Sequence, residues 1–144
     1  MNKVETAISC FKEGFSCSQA VLSAYSDMHG LNRELALKIS QPFGGGMAHM
    51  GEICGAVTGA FLVIGLKHGR IKAEDIEAKE KTYELVLEFV KRFKSLHGSI
   101  NCTELLGYDL GSPEGMKLAE EKELFTTVCP KFVQNAAEII EQIL

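Results

Sequence analysis

The stretch Glu52-Ile53-Cys54-Gly55-Ala56-Val57-Thr58-Gly59-Ala60-Phe61-Leu62-Val63-Ile64-Gly65-Leu66-Lys67 is apolar on every side of a helical wheel. A helix without a polar face must be covered all round, so this segment is expected at the centre of the fold with other helices wrapped about it. Its apolar run, Ile53 to Leu66, is too short for a membrane span, which takes about 20 residues. Gly51, Gly55 and Gly59 recur at every fourth position and form a smooth stripe. Each helical glycine costs about 1 kcal/mol relative to alanine. That cost is tolerable where another helix or a bound group must come very close.

Outward from this segment, nearly everything reads as helix. Asn2 to Lys12 has Val4, Ile8 and Phe11 on one side and ends at Gly14. Cys17 to Met28 carries Ala20, Val21, Ala24 and Tyr25 at helical spacing and stops at Gly30. A short helix spans Arg33 to Ser40, closed by Pro42. Ala73 to His97 reads as a long amphipathic helix with Ile76, Tyr83, Val86, Leu87, Val90 and Phe93 inward. Cys102 to Leu106 is a short helix ending at Gly107, and another starts near Pro113. The last covers Pro130 to Ile143, with Phe132, Val133, Ala136, Ala137 and Ile140 facing the core. Phe43 to Gly51 is too glycine-rich for a regular element, and Phe125 to Val128 reads as a brief extended approach to Cys129. No repeat or linker interrupts the pattern. Residues 1–144 are therefore expected to form a single all-α domain, a compact multi-helix bundle around the central apolar helix.

Composition narrows the function. With 46% hydrophobic and 24% charged residues, a chain of 144 can build a core without staples, and disorder is disfavoured. A net charge of -4 offers no basic face for nucleic acid. The one dense basic cluster, Lys91, Arg92 and Lys94, follows Glu84 and Glu88 and reads as a solvated helix face with spaced ion pairs. Met1 to Phe11 lacks the apolar centre of a signal peptide, so a cytoplasmic protein without membrane insertion is expected. Structural disulfides are rare in that compartment, which turns five cysteines towards redox chemistry or a metal. The glycine-striped helix also leaves room for a homodimer.

Four of those cysteines stand where a helix is about to begin. Cys17 follows Ser16, with Gln19 three residues after that serine; Cys102 follows Asn101, with Glu104 three residues on. Both read as caps with cysteine as the first helical residue. Cys129 precedes Pro130 and reads as a cap itself. Cys54 comes after Gly44, Gly45, Gly46 and Gly51 at the head of the apolar segment. Free N–H groups and the positive end of the helix dipole favour thiolate at such positions. Backbone N–H groups of Gly44 to Gly46 could add an anion-binding nest beside the sulfur. Cys10 shares none of this and is expected apart, packed as a small hydrophobe.

No C-x-x-C pair is present, so any site must be assembled from distant helix starts. Cys17, Cys54, Cys102 and Cys129 are expected to converge at one end of the bundle. Gathered there they allow two chemistries: reversible thiol/disulfide exchange, with Cys54 as the attacking thiolate, or an iron–sulfur or zinc site. A non-catalytic helical interaction protein is the third reading. His49, five residues before Cys54, is a ligand or proton-donor candidate, though a lone loop histidine is more often solvated. His29, His68 and His97 sit at helix ends, where a cation suits the dipole.

The run Cys54-Gly55-Ala56-Val57-Thr58-Gly59 is a CGAxxG motif. With Cys17 upstream, Cys102 and Cys129 downstream and the glycine-rich approach, the chain resembles the C_GCAxxG_C_C family of redox-active proteins. The resemblance covers nearly the whole chain and implies a four-cysteine redox-type site at Cys17, Cys54, Cys102 and Cys129. It also implies a bacterial or archaeal protein often encoded near transporters, with a redox partner that the sequence does not identify. A related domain fused to a multihaem cytochrome keeps iron–sulfur chemistry in view, whereas the missing C-x-x-C-H motif argues against covalent haem.

Overall fold

The computed structural model describes all residues 1–144 as an all-α fold. The helices are α1 (Lys3–Lys12), α2 (Cys17–Ser26), α3 (Arg33–Ser40), α4 (Gly55–His68), α5 (Ile76–His97), α6 (Cys102–Leu106), α7 (Pro113–Glu121) and α8 (Cys129–Ile143). Single turns at Asp27–His29, Gln41–Phe43, Gly44–Met47 and Leu124–Thr127 link them. No helix is long and apolar enough to cross a membrane.

Most helices begin where a short polar side chain can accept an orphan backbone N–H. Asn2 with Glu5 and Ser16 with Gln19 form reciprocal capping boxes. Asn32, Asp75, Asn101 and Ser112 cap α3, α5, α6 and α7 in the same direction. The long helix therefore starts at Ile76, three residues later than its periodicity predicts, because Asp75 takes the N–H of Ala78. The expected extended approach to Cys129 is instead a helical turn, Leu124–Thr127.

The core is one continuous cluster of 28 buried apolar residues. Its centre is α4 packed along α2, with α1 and α3 closing on α2 and α5 and α8 closing on α4. Gly55 and Gly59 let α4 approach α2 at Ser18 and Val21; a Cβ on Gly59 would stand 2.9 Å from the Ser18 carbonyl oxygen. Gly51 is not part of that stripe. It lies before the helix with a left-handed φ of +71° and faces Thr103 and Asp109.

The inward face of α5 also differs from expectation. Leu85, Phe89 and Phe93 are buried, whereas Ile76, Tyr83 and Leu87 are exposed. Phe89 meets the Phe61 ring edge-on at 6.1 Å, and Phe93 lies 6.2 Å from Phe132. These aromatic contacts with α4 and α8 select one of two apolar stripes that the helix carries. The α8 face matches its prediction: Phe132, Val133, Ala136, Ala137 and Ile140 are all buried.

The two kinds of glycine in α4 should respond oppositely to alanine. At Gly59 the new methyl meets Ser18 backbone and Val21 Cβ, so overpacking of about 1–3 kcal/mol outweighs the gain in helix propensity. At Gly65 nothing lies within 4 Å of the new Cβ, and Gly65→Ala should gain up to about 1 kcal/mol. Thermal denaturation checks the pair: midpoints that move in the same direction would mean α2 and α4 do not touch at Gly59.

Candidate functional site: four cysteines around one cavity

Cys17, Cys54, Cys102 and Cys129 all line one cavity of about 620 Å³. Three of them begin a helix, α2, α6 and α8, and Cys54 is the N-cap residue of α4. Cys129 is the first residue of α8 rather than its cap, and no side chain caps that helix. Cys54, Cys102 and Cys129 are buried and Cys17 is half-buried. All are free thiols. Cys10 stands apart, buried against Ser23 Oγ at 3.5 Å and absent from the cavity wall.

A small β-type contact, invisible to helical periodicity, joins the second and third cysteines. Ile53 and Asn101 form an isolated antiparallel bridge. On either side of it the Cys54 N–H donates to the Ile100 carbonyl at 2.8 Å and the Cys102 N–H to the Glu52 carbonyl at 2.6 Å. Alternation across such a bridge puts residues 54 and 102 on the same face, diagonal to one another.

The glycine run forms the adjoining wall. Gly45, Gly46, Met47, Ala48 and His49 all have φ between +54° and +71°, a left-handed turn in which three members are not glycine. Such residues cost roughly 1–2 kcal/mol each. The turn is held by Gly51 N–H to the Gly45 carbonyl and Glu52 N–H to the Gly46 carbonyl. Gly45 and Gly46 line the cavity, while Gly44 packs against Ser16. Gly46 lies on Cys102: a Cβ there would be 2.7 Å from the Cys102 Cβ. The His49 ring sits over Gly45 and also lines the cavity, so the lone loop histidine belongs to the site wall.

Electrostatics divide the thiols. Burial pushes Cys54 up to about 12, against the opposing pull of N–H groups from Ala56 and Val57. Cys102 is also pushed up to about 12, by burial first and then by the charges of Cys54 and Cys129. Cys17 and Cys129 are each the main influence on the other: the neighbouring thiol raises Cys17 well above the ordinary value and lowers Cys129 below it, with burial adding to the rise at Cys17 and opposing the drop at Cys129. One proton kept on Cys17 thus favours negative charge on Cys129, at the open N-terminus of the 15-residue α8. Against the expectation that Cys54 is the activated thiolate, desolvation at its buried position opposes ionisation more strongly than the N–H groups at its helix start favour it.

The four cysteines supply the ligand number that zinc or an iron–sulfur cluster takes. As they are placed here, no three His, Cys, Asp or Glu side chains are grouped so that they could hold a metal ion.

A family model described as "Putative redox-active protein (C_GCAxxG_C_C)" matches residues 15–143. The matched span includes all four cavity cysteines and leaves out Cys10. No curated protein and no solved structure matches the chain.

Proposed function

From the premise that the chain belongs to the C_GCAxxG_C_C family of redox-active proteins, we propose a thiol/disulfide oxidoreductase whose reacting pair is Cys129 and Cys17. The observation that carries this reading is that Cys17 and Cys129, the first residues of α2 and α8, line the same cavity, with the influence of each on the other raising the first thiol and lowering the second. Thiol exchange needs a thiolate attacker, a proton for the leaving sulfur and a second thiol within reach.

The steps balance with these two residues. The Cys129 thiolate attacks one sulfur of a substrate disulfide; a Cys129–substrate S–S bond forms and the substrate S–S bond breaks. The departing thiolate takes the proton from Cys17. The Cys17 thiolate then attacks Cys129 Sγ, closing a Cys17–Cys129 disulfide and releasing the second substrate thiolate, which takes a proton from water. Two protein thiols are oxidised and one disulfide is reduced to two thiols. Cys54 and Cys102, held as neutral thiols beside the pair, form a reserve that later exchange could engage. Five unpaired cysteines suit the reducing cytoplasm.

Peptide mapping after limited oxidation tests the pairing, with a Cys17–Cys129 cross-link as the first product. Cys17→Ala should raise the Cys129 pKa and slow its alkylation at pH 7, by less than the loss of thiolate alone would give because nucleophilicity rises with pKa. Cys17→Ser keeps a hydroxyl donor and should fall between the two. A first cross-link that omits Cys129 would refute the assignment. So would stoichiometric zinc, or iron with labile sulfide, in protein purified without oxygen.

A further inference from the structure

The cavity wall lacks the acidic side chains that predominate in the chain. The sequence has 19 acidic against 15 basic residues, yet no carboxylate lines the cavity. Apart from the thiols, its ionisable wall residues are Lys12, exposed at the end of α1, and His49 on the left-handed turn. Neither makes an ion pair. The long helices α2, α4 and α8 turn their positive ends towards the same space, since Cys17, Cys54 and Cys129 all line it from their starts. Between these groups the wall is largely apolar, with Phe11, Phe15, Phe125 and Phe132 among its members.

Size and depth restrict the occupant further. A volume of about 620 Å³ falls in the range of small-molecule sites. Cys129 is only 6% exposed, which favours a small disulfide that can enter the cavity over one held on a folded protein surface. We infer that the cavity takes a low-molecular-weight disulfide with an apolar body and a carboxylate, its carboxylate directed to Lys12 and His49 and its sulfur to Cys129.

This inference rests on the proposed Cys129–Cys17 exchange, and the reaction keeps the same balance: one disulfide gives two free thiols, and the protein gains one disulfide, which dithiothreitol resets. The test uses three disulfides on the reduced full-length chain: dianionic dithiobis(nitrobenzoate), neutral dithiodipyridine and dicationic cystamine. Each rate is divided by that of the same disulfide with mercaptoethanol, which removes intrinsic reactivity. The normalised rate should be at least about tenfold higher for the dianion than for cystamine, with the neutral disulfide between. The advantage should shrink severalfold between about 0.02 and about 0.5 M salt. Lys12→Glu, at an exposed helix end, should lower the dianion-to-neutral ratio by roughly fivefold or more.

A cystamine preference, a ratio unmoved by salt and by Lys12→Glu, or equally fast reduction of the protein disulfides of insulin would overturn the substrate class. In each of those results a Cys17–Cys129 cross-link would still form, leaving the exchange chemistry standing. If none of the disulfides oxidises that pair, the underlying exchange reading fails instead.

Discussion

At pH 7, iodoacetamide should modify Cys129 at least about thirtyfold faster than Cys54, read site by site by mass spectrometry. Cys54 is pushed up to about 12 by burial, while the neighbouring Cys17 thiol lowers Cys129 below the ordinary thiol value. Against an ordinary value near 8.5, that is a gap of more than about three pKa units. Thiolate abundance alone would give about a thousandfold. The more basic sulfur recovers part of this, because nucleophilicity rises with about half a logarithmic unit per pKa unit. The pH dependence should have opposite shapes. Cys129 reactivity levels off below the ordinary thiol range, since it is already ionised there. The reactivity of Cys54, and that of Cys102, should climb about tenfold per pH unit until near pH 12. Earliest reaction at Cys54 would show that the dipole and N–H donors at its helix start prevail over burial.

Gly46→Ala is expected to be the most damaging single-methyl change in the cavity wall. The residue has φ +71°, and its new Cβ would lie 2.7 Å from Cys102 Cβ and 2.8 Å from the Glu52 nitrogen. Left-handed strain of about 1–2 kcal/mol adds to overpacking of about 1–3 kcal/mol, for a loss near 3 kcal/mol in chemical denaturation. Neither contact can yield cheaply. One is the stem of a site cysteine, and the other is backbone hydrogen-bonded to the Gly46 carbonyl at 2.9 Å. Cys102 must therefore move, and its alkylation at high pH should accelerate in the folded variant. A change below about 0.5 kcal/mol would mean that the turn is not left-handed at Gly46.

The sequence carried the helix boundaries because capping is a local interaction. Ser16, Asn101 and Ser112 each act on an N–H within one turn, so α2, α6 and α7 begin where those side chains permit. It also carried the gathering of the cysteines in outline, since four helix starts at one end of a bundle have one place to meet. The choice between the Leu85–Phe89–Phe93 face and the Tyr83–Leu87 face of α5 was not legible in the same way. Both stripes have helical spacing, and only contact with Phe61 and Phe132 separates them. The Ile53–Asn101 bridge was likewise hidden, because a two-residue pairing leaves no periodicity to read.

Site chemistry depended still more on tertiary structure. At the level of sequence, Cys54 looked most activated, because a glycine-rich approach and a helix start are both local signals. A thiol pKa reflects the medium and the nearest partner in space. Burial at Cys54 and the mutual influence of Cys129 and Cys17 are decided by helices far apart in the chain. Residue order was thus enough to determine an all-helical chain with cysteines at helix starts. Only packing sets how deeply each thiol is buried and which thiols influence one another, because desolvation and charge act across space rather than along the chain.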